Sequence, residues 1–558
     1  MTQSAPIHQL KVRLQSLTMS GGDVLPISPQ GVTCIVGGNN VGKSTLLRDI
    51  EAFLGPEGHY AKPLALKGLS LHKDPLEDEH AARAYLDDHA FRLPQQPSRP
   101  QAYQSALGAA QTTAEQLMIS YRDRTHGLGG VSNFFVWYAT AGQLANSVVS
   151  GLGMIGEPMV GSPIARLYRD PSLEDELSQL ARDTFGEPLV LDRVNGDVRL
   201  RVGDPGVEPP NFRWPSVEYA NAVRDLTPLS EQGDGLKSFF GLALNVIANS
   251  AQILLIDEPE AFLHPSQAKA LGRWLGQQAV GRDLQIIVAT HDKDFVLGLV
   301  GAAEQADLSL VRLTRDGSAT HATTIRHDKI TATWNDAVLR YSNVLQGLFH
   351  SRVVITEADA DCRFYGAVLD QLGNEEGMRP LVDDTLFVPG GGKQGIPAMA
   401  KALADLRVET FAIVDFDTLN NKRVLSAIVD AVGGSWSDKL QNLYVVVTNA
   451  VNATKGGLWD SLKKQGLAAM PPGDVYRAAT DLLNALQEMR VLVVPVGEME
   501  GLDRSIGLEK SAWVNAMLAD NRHITCAEAR SLLSPLLREV ENSVRPAAPT
   551  TESDLPFS

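Results

Sequence analysis

Three groups of residues have the types and spacing to do chemistry. The first is Asp257-Glu258, two carboxylates that end the apolar run 253–256. A buried strand that delivers such a pair at its carboxyl end can hold Mg²⁺ with the first acid and position water with the second. Taken alone, a core strand with a charged cap would read the same way. The second group is Gly37-Gly-Asn39-Asn40-Val-Gly42-Lys43-Ser44-Thr45. It fits G-x-x-x-x-G-K-[ST] between a strand-like run, 32–36, and a helical run, 46–54. Its glycines let backbone N–H groups face phosphates. Lys43 reaches toward the β and γ phosphates, and Ser44 offers a hydroxyl to Mg²⁺. The third group is a series of acids: Glu357, Asp361, Asp415, Asp417, Glu498 and Glu500. Oxygen-only ligands suit Mg²⁺ or Mn²⁺. Two such ions about 3.5–4 Å apart can clamp the attacking and leaving oxygens of a phosphodiester.

These residues need elements to position them. Leu229-Ser230-Glu-Gln-Gly233-Asp-Gly235 precedes a helix read over 238–249. Ser and Gly there form a second anion-binding helix start, with simple capping as the alternative. Strand 284–289 ends in Thr290-His291, where ligands bind in open α/β sheets. That position makes His291 a candidate sensor of the γ-phosphate. Residues 307–326 read as a hairpin around Gly317, and 329–350 as helical. Beyond them, strands 352–356, 385–389, 410–414 and 490–495 alternate with helices. That alternation predicts a parallel sheet, whose carboxyl ends share one edge. The acids at those ends would then converge, together with Gly390–Lys393. Residues 55–210 read as a largely helical insertion (78–91, 103–120 and 172–184) between Gly/Pro-rich stretches, a candidate region for partner contacts and dimerisation, with no chemical site of its own. His80, His89 and His126 read as surface residues. The stretch 541–558 is rich in Pro, Ser and Thr and reads as a disordered tail.

The first half resembles an ABC-type ATPase of the RecF/SMC kind, on the strength of Gly37–Thr45, Ser230–Gly235, Asp257-Glu258 and His291. The resemblance implies that Lys43 and Ser44 bind phosphate and Mg²⁺ of ATP. It also implies that Asp257 supports the metal, Glu258 polarises water and His291 contacts the γ-phosphate. In that family the signature turn, here Ser230 and Gly233, reaches the nucleotide of a second unit, so a homodimer or higher oligomer is expected. No glutamine is assigned to the family's Q-loop. The second half resembles a Toprim domain from Val353 to about Lys510, although Ala358 replaces the glycine usual after the first Glu. ATPase and Toprim in one chain resemble the OLD family of nucleases, which includes the nuclease subunit of the Gabija anti-phage system. That resemblance implies Mg²⁺- or Mn²⁺-dependent cleavage of DNA under nucleotide control, in phage defence, with a helicase or another defence protein as a possible partner. It also makes Lys510 the lysine that supports the transition state; Thr418 is a weaker candidate. The expected architecture is α/β: an ATPase domain over 1–345 with its insertion at 55–210, a Toprim domain over 346–540, and the tail. Cleavage of RNA, such as tRNA, and a non-catalytic DNA-binding scaffold remain as alternatives.

Composition sets outer bounds. With 558 residues, 44% apolar and 21% charged, the chain reads as a multidomain globular protein. Its net charge of −16 argues against a surface coated in positive charge for nucleic acid, though not against a local groove. No run is long and apolar enough to span a bilayer, and the first residues do not read as a signal peptide. Cys34, Cys362 and Cys526 have no metal-type spacing and suit a reducing, cytoplasmic setting.

Overall fold

A computed structural model describes residues 10–56, 62–105, 110–122, 127–146, 152–153, 163–195, 197–208, 216–248, 251–302, 308–325, 329, 331–332, 335–336, 343–454 and 458–537. The chain divides into two compact units between Tyr341 and Ser342.

The first unit is built on a six-stranded sheet in the order Ala319–Ile325, Leu308–Asp316, Gly31–Val36, Gln285–Ala289, Ile253–Asp257, Val136–Thr140. The last five pair in parallel, and Ala319–Ile325 returns antiparallel through a hairpin at Gly317. Gly31–Val36, Ile253–Asp257 and Gln285–Ala289 are buried at every position. A parallel sheet covered by helices on both faces has no solvent side, which explains their unbroken apolar runs. Asp257 pairs with Ala289 on one side and Thr140 on the other, so three strands end level. The helix Lys43–Leu54 follows the phosphate loop directly. Its Asp49 accepts from the backbone N–H of Leu64, Ala65 and Leu66, which ties it to the incoming strand Leu66–Lys73. That strand joins Val12–Met19 and Val24–Pro26 in a separate antiparallel sheet.

The stretch 55–210 differs from the largely helical insertion expected. Helices Glu79–His89 and Pro171–Phe185 are present. Much of 103–120, however, forms strands Ala102–Ser105 and Gln111–Thr113, with a helix only at Ala114–Arg122. Val136–Thr140 is an edge strand of the central sheet itself. Val-Trp-Tyr-Ala-Thr suits a strand by its β-branched and aromatic residues, but a run of five shows no period long enough to separate it from a helix. The helical reading of 329–350 holds where residues are described. Asn343–Phe349 forms a 3₁₀ helix, and most of 326–342 lies outside the described residues, as do His126 and 541–558. His89 is half-buried and stacks on Tyr85 with ring centroids 4.4 Å apart.

The second unit holds a four-stranded, fully parallel sheet in the order Thr385–Pro389, Arg352–Thr356, Glu409–Val414, Val491–Val493. Helices Asp359–Glu376, Ile396–Asp405, Lys422–Ala431, Asp438–Ala453 and Asp474–Glu488 make the crossovers. Phe364, Tyr365 and Trp513 centre the core on one face. At the amino end of the sheet, the buried Arg352 donates to Glu409 at 2.8 Å and to the Leu536 carbonyl. No helix among the described residues is long and apolar enough to cross a membrane.

Candidate functional site

At the carboxyl edge of the first sheet, chain geometry places the phosphate loop beside the acid pair. Gly37 has φ 148° and Gly42 φ 99°, conformations that a side chain would strain. A Cβ on Gly37 would also lie 2.6 Å from the Leu313 carbonyl. Asn39 and Asn40 are exposed at the loop tip, Asn40 with φ 60°. Lys43 Nζ donates to the Gly37 and Gly38 carbonyls, both at 2.9 Å, so its ammonium lies over the loop where phosphate would sit. Ser44 Oγ donates to Asp257 Oδ1 at 3.0 Å. A hydroxyl and a carboxylate in contact, from elements 213 residues apart, are a hard-oxygen pair that fits Mg²⁺. Burial holds Asp257 above the usual carboxylate range, and the Ser44 hydroxyl opposes that shift. Thr45 accepts weakly from Arg48 at 3.3 Å.

Glu258 turns the chain out of the sheet in a left-handed conformation, φ 52°, which costs energy in a residue with a Cβ. Its carboxylate lies 3.1 Å from His291 Nδ1. The structure thus brings Lys43 to its loop carbonyls, Ser44 to Asp257, and Glu258 to His291. Ser230 lies in a short 3₁₀ turn at Leu229–Glu231, and Gly233 precedes helix Asp234–Ala248. Gly235 packs against the loop after Glu258, where a Cβ would meet the Phe262 carbonyl at 2.5 Å.

Two residues here carried no sequence signal. Gln143 follows the strand end at Thr140, beside Asp257, and its Oε1 accepts from the Thr140 N–H at 2.9 Å. Glu260 is buried and accepts from the Thr290 hydroxyl at 2.7 Å and the His291 N–H at 3.2 Å. Strand pairing marks the first and burial the second, and neither is visible in spacing.

In the second unit, Glu357 follows strand Arg352–Thr356, and Asp415 follows Glu409–Val414 one strand over. The Asp415 N–H donates to Glu357 Oε1 at 3.2 Å, and the Thr418 hydroxyl lies 3.4 Å from the same oxygen. Asp361 caps its own helix by accepting from the Ala358 N–H at 2.8 Å. Lys393, on the turn after Thr385–Pro389, pairs with Asp417 at 2.9 Å. Gly392 reaches this place because its N–H donates to the Glu357 carbonyl at 2.7 Å. Gly497 docks on the next strand end by accepting from the Phe416 N–H at 2.8 Å, which brings Glu498 alongside. Glu500 Oε1 accepts from the Lys510 N–H at 2.6 Å, so the contact of Lys510 with the acids is through its backbone.

The acids act on one another. Burial, then Glu357, Asp361, Asp417 and Glu498, push Asp415 up to about 9. Burial, opposed by the Ala358 N–H and reinforced by Glu357 and Glu500, takes Asp361 to about 6. Glu357 and Glu498 are raised as well, burial leading in each. Such a set loses its mutual repulsion only with protons or cations, and its donors are all oxygen, so it fits Mg²⁺ or Mn²⁺. Among the described residues, no three His, Cys, Asp or Glu side chains stand close enough to hold an ion as they are. Under these acids lies Tyr365, a third residue without a sequence signal. It is buried, and its hydroxyl has no partner among the described residues.

Residues 156–298 match the model of a family described as "AAA domain, putative AbiEii toxin, Type IV TA system". No curated protein matches the chain. Among solved structures, it is similar to an SmcHead bound to the C-winged helix domain of ScpA, at 14% identity and TM-score 0.34, over 57% of this chain and 99% of that one. It is also similar to the SMC head domain from Thermotoga maritima, at 17% identity and TM-score 0.30, over 56% and 99%. The family match spans the Asp257-Glu258 strand and His291. With the phosphate loop brought to that strand, it supports reading the first unit as an ATPase domain.

Proposed function

We propose that the chain is an ATP-controlled, divalent-metal-dependent nuclease of the OLD kind that cuts DNA in anti-phage defence. The observation that supports this reading is the meeting of strand ends where the Asp415 N–H donates to Glu357 Oε1, Lys393 pairs with Asp417, and Gly497 docks on Phe416 beside Glu498. A fold needs a reason to bring acids together at a cost, and divalent cations supply one.

In this reading Glu357, Asp415, Asp417 and Glu500 hold the metal, with Asp361 and Glu498 beside them. Bound Mg²⁺ or Mn²⁺ supplies an activated water and neutralises charge on the phosphodiester. The chain's own residues do the rest. Thr418 and the Asp415 N–H orient Glu357. Lys393, held by Asp417, is placed to meet phosphate charge. Lys510, anchored by its backbone to Glu500, offers a second cation. In the first unit, Lys43 and Ser44 bind the nucleotide, Glu258 orients water and His291 meets the γ-phosphate. The turn holding Ser230 and Gly233 completes the site of a second copy, so the working form is a dimer. The setting is cytoplasmic, with a helicase or other defence protein as a partner.

The test is cleavage of plasmid and linear DNA with Mg²⁺ or Mn²⁺, with and without ATP, by wild type, Asp415→Ala and Lys43→Ala. Wild type is expected to cut, and Asp415→Ala to lose about 100-fold or more. A change in cutting with Lys43→Ala gives the sign of ATP control, and indifference to both nucleotide and Lys43 ends the control reading. Cutting of RNA alone would favour a toxic ribonuclease; the matching family's description names a putative toxin. No cutting of either would favour the scaffold.

A further inference from the structure

His291 is held from two sides. Its Nδ1 lies 3.1 Å from Glu258 and 3.5 Å from Glu260. Glu258 is half exposed, whereas the Glu260 side chain is 4% exposed. Glu260 Oε1 accepts from the Thr290 hydroxyl and the His291 N–H and lies 3.5 Å from His291 Nδ1. Thr290 in turn accepts from the Asp292 N–H at 3.0 Å, so its single proton is free to point at Glu260. The other carboxyl oxygen, Oε2, is buried and has no partner among the described residues. Behind Glu260 lies Cys34 of the phosphate-loop strand, a thiol raised by burial and then by this carboxylate. A buried carboxyl with an orphaned oxygen is costly, and a core position would be served by Gln or Leu. The cost is understandable if the charge has work to do on the ring beside it.

We propose that Glu260 is a positioning residue for ATP hydrolysis: it holds the Nδ1–H face of His291 from inside, so that Nε2 is the ring nitrogen presented to the nucleotide. This inference rests on the ATPase reading of the first unit and is independent of the nuclease reading of the second. Glu258 shares the same Nδ1 from the solvent side. Glu260 thereby fixes the ring whether or not Glu258 is engaged with water. Burial pushes Glu260 up to about 7, opposed by Thr290 and His291. The carboxylate that holds the ring is therefore present above about pH 7, and the hold weakens as Glu260 takes up a proton below it. The titratable groups facing Glu260 and the ring are Glu258, Cys34 and each other.

The full chain tests this through steady-state ATP turnover between pH 5.5 and 9. Wild-type kcat is expected to rise through about pH 7. Glu260→Gln imitates the protonated carboxyl, so its kcat should lie about tenfold below wild type at pH 8 and stay flat across that range, with KM for ATP within about twofold. In a His291→Ala background, Glu260→Gln should change kcat by less than about twofold, because the residue acts through the ring. Histidine-labelled wild type, which depends on no variant folding, should show the Nδ1–H tautomer at His291 by NMR. A Glu260→Gln enzyme that keeps the rise near pH 7, an equal loss with and without His291, or an Nε2–H tautomer would each overturn the proposal. Absent ATP turnover in wild type would instead fail the ATPase reading, and the tautomer would still decide the role of Glu260.

Discussion

At the scale of single residues, the two sites manage charge differently. Ser44 and Lys43 already have partners that an incoming nucleotide and Mg²⁺ would replace. Asp415 has carboxylates on several sides, and one of them, Asp417, is paired with Lys393. Removing its charge should therefore help the metal-free fold. Asp415→Asn is expected to stabilise the chain without metal by about 1–2 kcal/mol and to abolish the rise in Tm that Mg²⁺ gives wild type. Thermal unfolding with EDTA and with Mg²⁺ checks both parts, and a less stable metal-free variant would mean that Asp415 contributes to packing. Residues whose chemistry demands fixed spacing, such as Gly42-Lys43-Ser44 or Asp257-Glu258, were legible in the chain because their partners are covalent neighbours. Glu260, Gln143 and Tyr365 were not, since what marks them is burial or a strand partner more than a hundred residues away.

At the scale of elements, close packing rests on a few glycines. Helices Pro265–Gly281 and Lys293–Gly301 cross at Gly272 and Gly298, where a Cβ would lie 2.2 Å from the Phe295 carbonyl and 2.1 Å from the Lys269 carbonyl. Backbone cannot yield to a methyl group as a flexible side chain can. Gly298→Ala should cost about 1–3 kcal/mol and lower Tm by a few degrees. Gly281→Ala, with open space around it, should change stability by less than about 0.5 kcal/mol. Equal effects would show that the helices part easily. The second sheet was readable because its apolar strands alternate with helices along the chain, which predicts parallel pairing. Arg352, for example, pairs with Thr385 and Glu409. Val136–Thr140 was not readable, because its partner, Ile253–Asp257, enters the chain after more than a hundred intervening residues.

At the scale of the molecule, two units carry separate cores, one around Leu46, Ile50 and Phe135, the other around Phe364, Val514 and Trp513. Calorimetry should resolve two transitions. ATP with Mg²⁺ should raise one of them, by about 2.7 kcal/mol at a hundredfold excess over Kd, and Mn²⁺ alone should raise the other. A single transition moved equally by both would mean that the units unfold as one. The strand order of the first sheet has a further outcome, in the time the chain takes to be made. Gly31 pairs with Gln285, 254 residues later, and Val32 with Leu308. At about 5–20 residues per second, the strand bearing the phosphate loop leaves the ribosome some 13–50 s before its neighbours exist. Throughout that interval 31–36, apolar and rich in β-branched residues, has no sheet to enter. The second unit has no such wait, because its first strand meets a partner 33 residues on. A chain stalled on the ribosome before residue 285 therefore carries its phosphate-loop strand without either sheet neighbour.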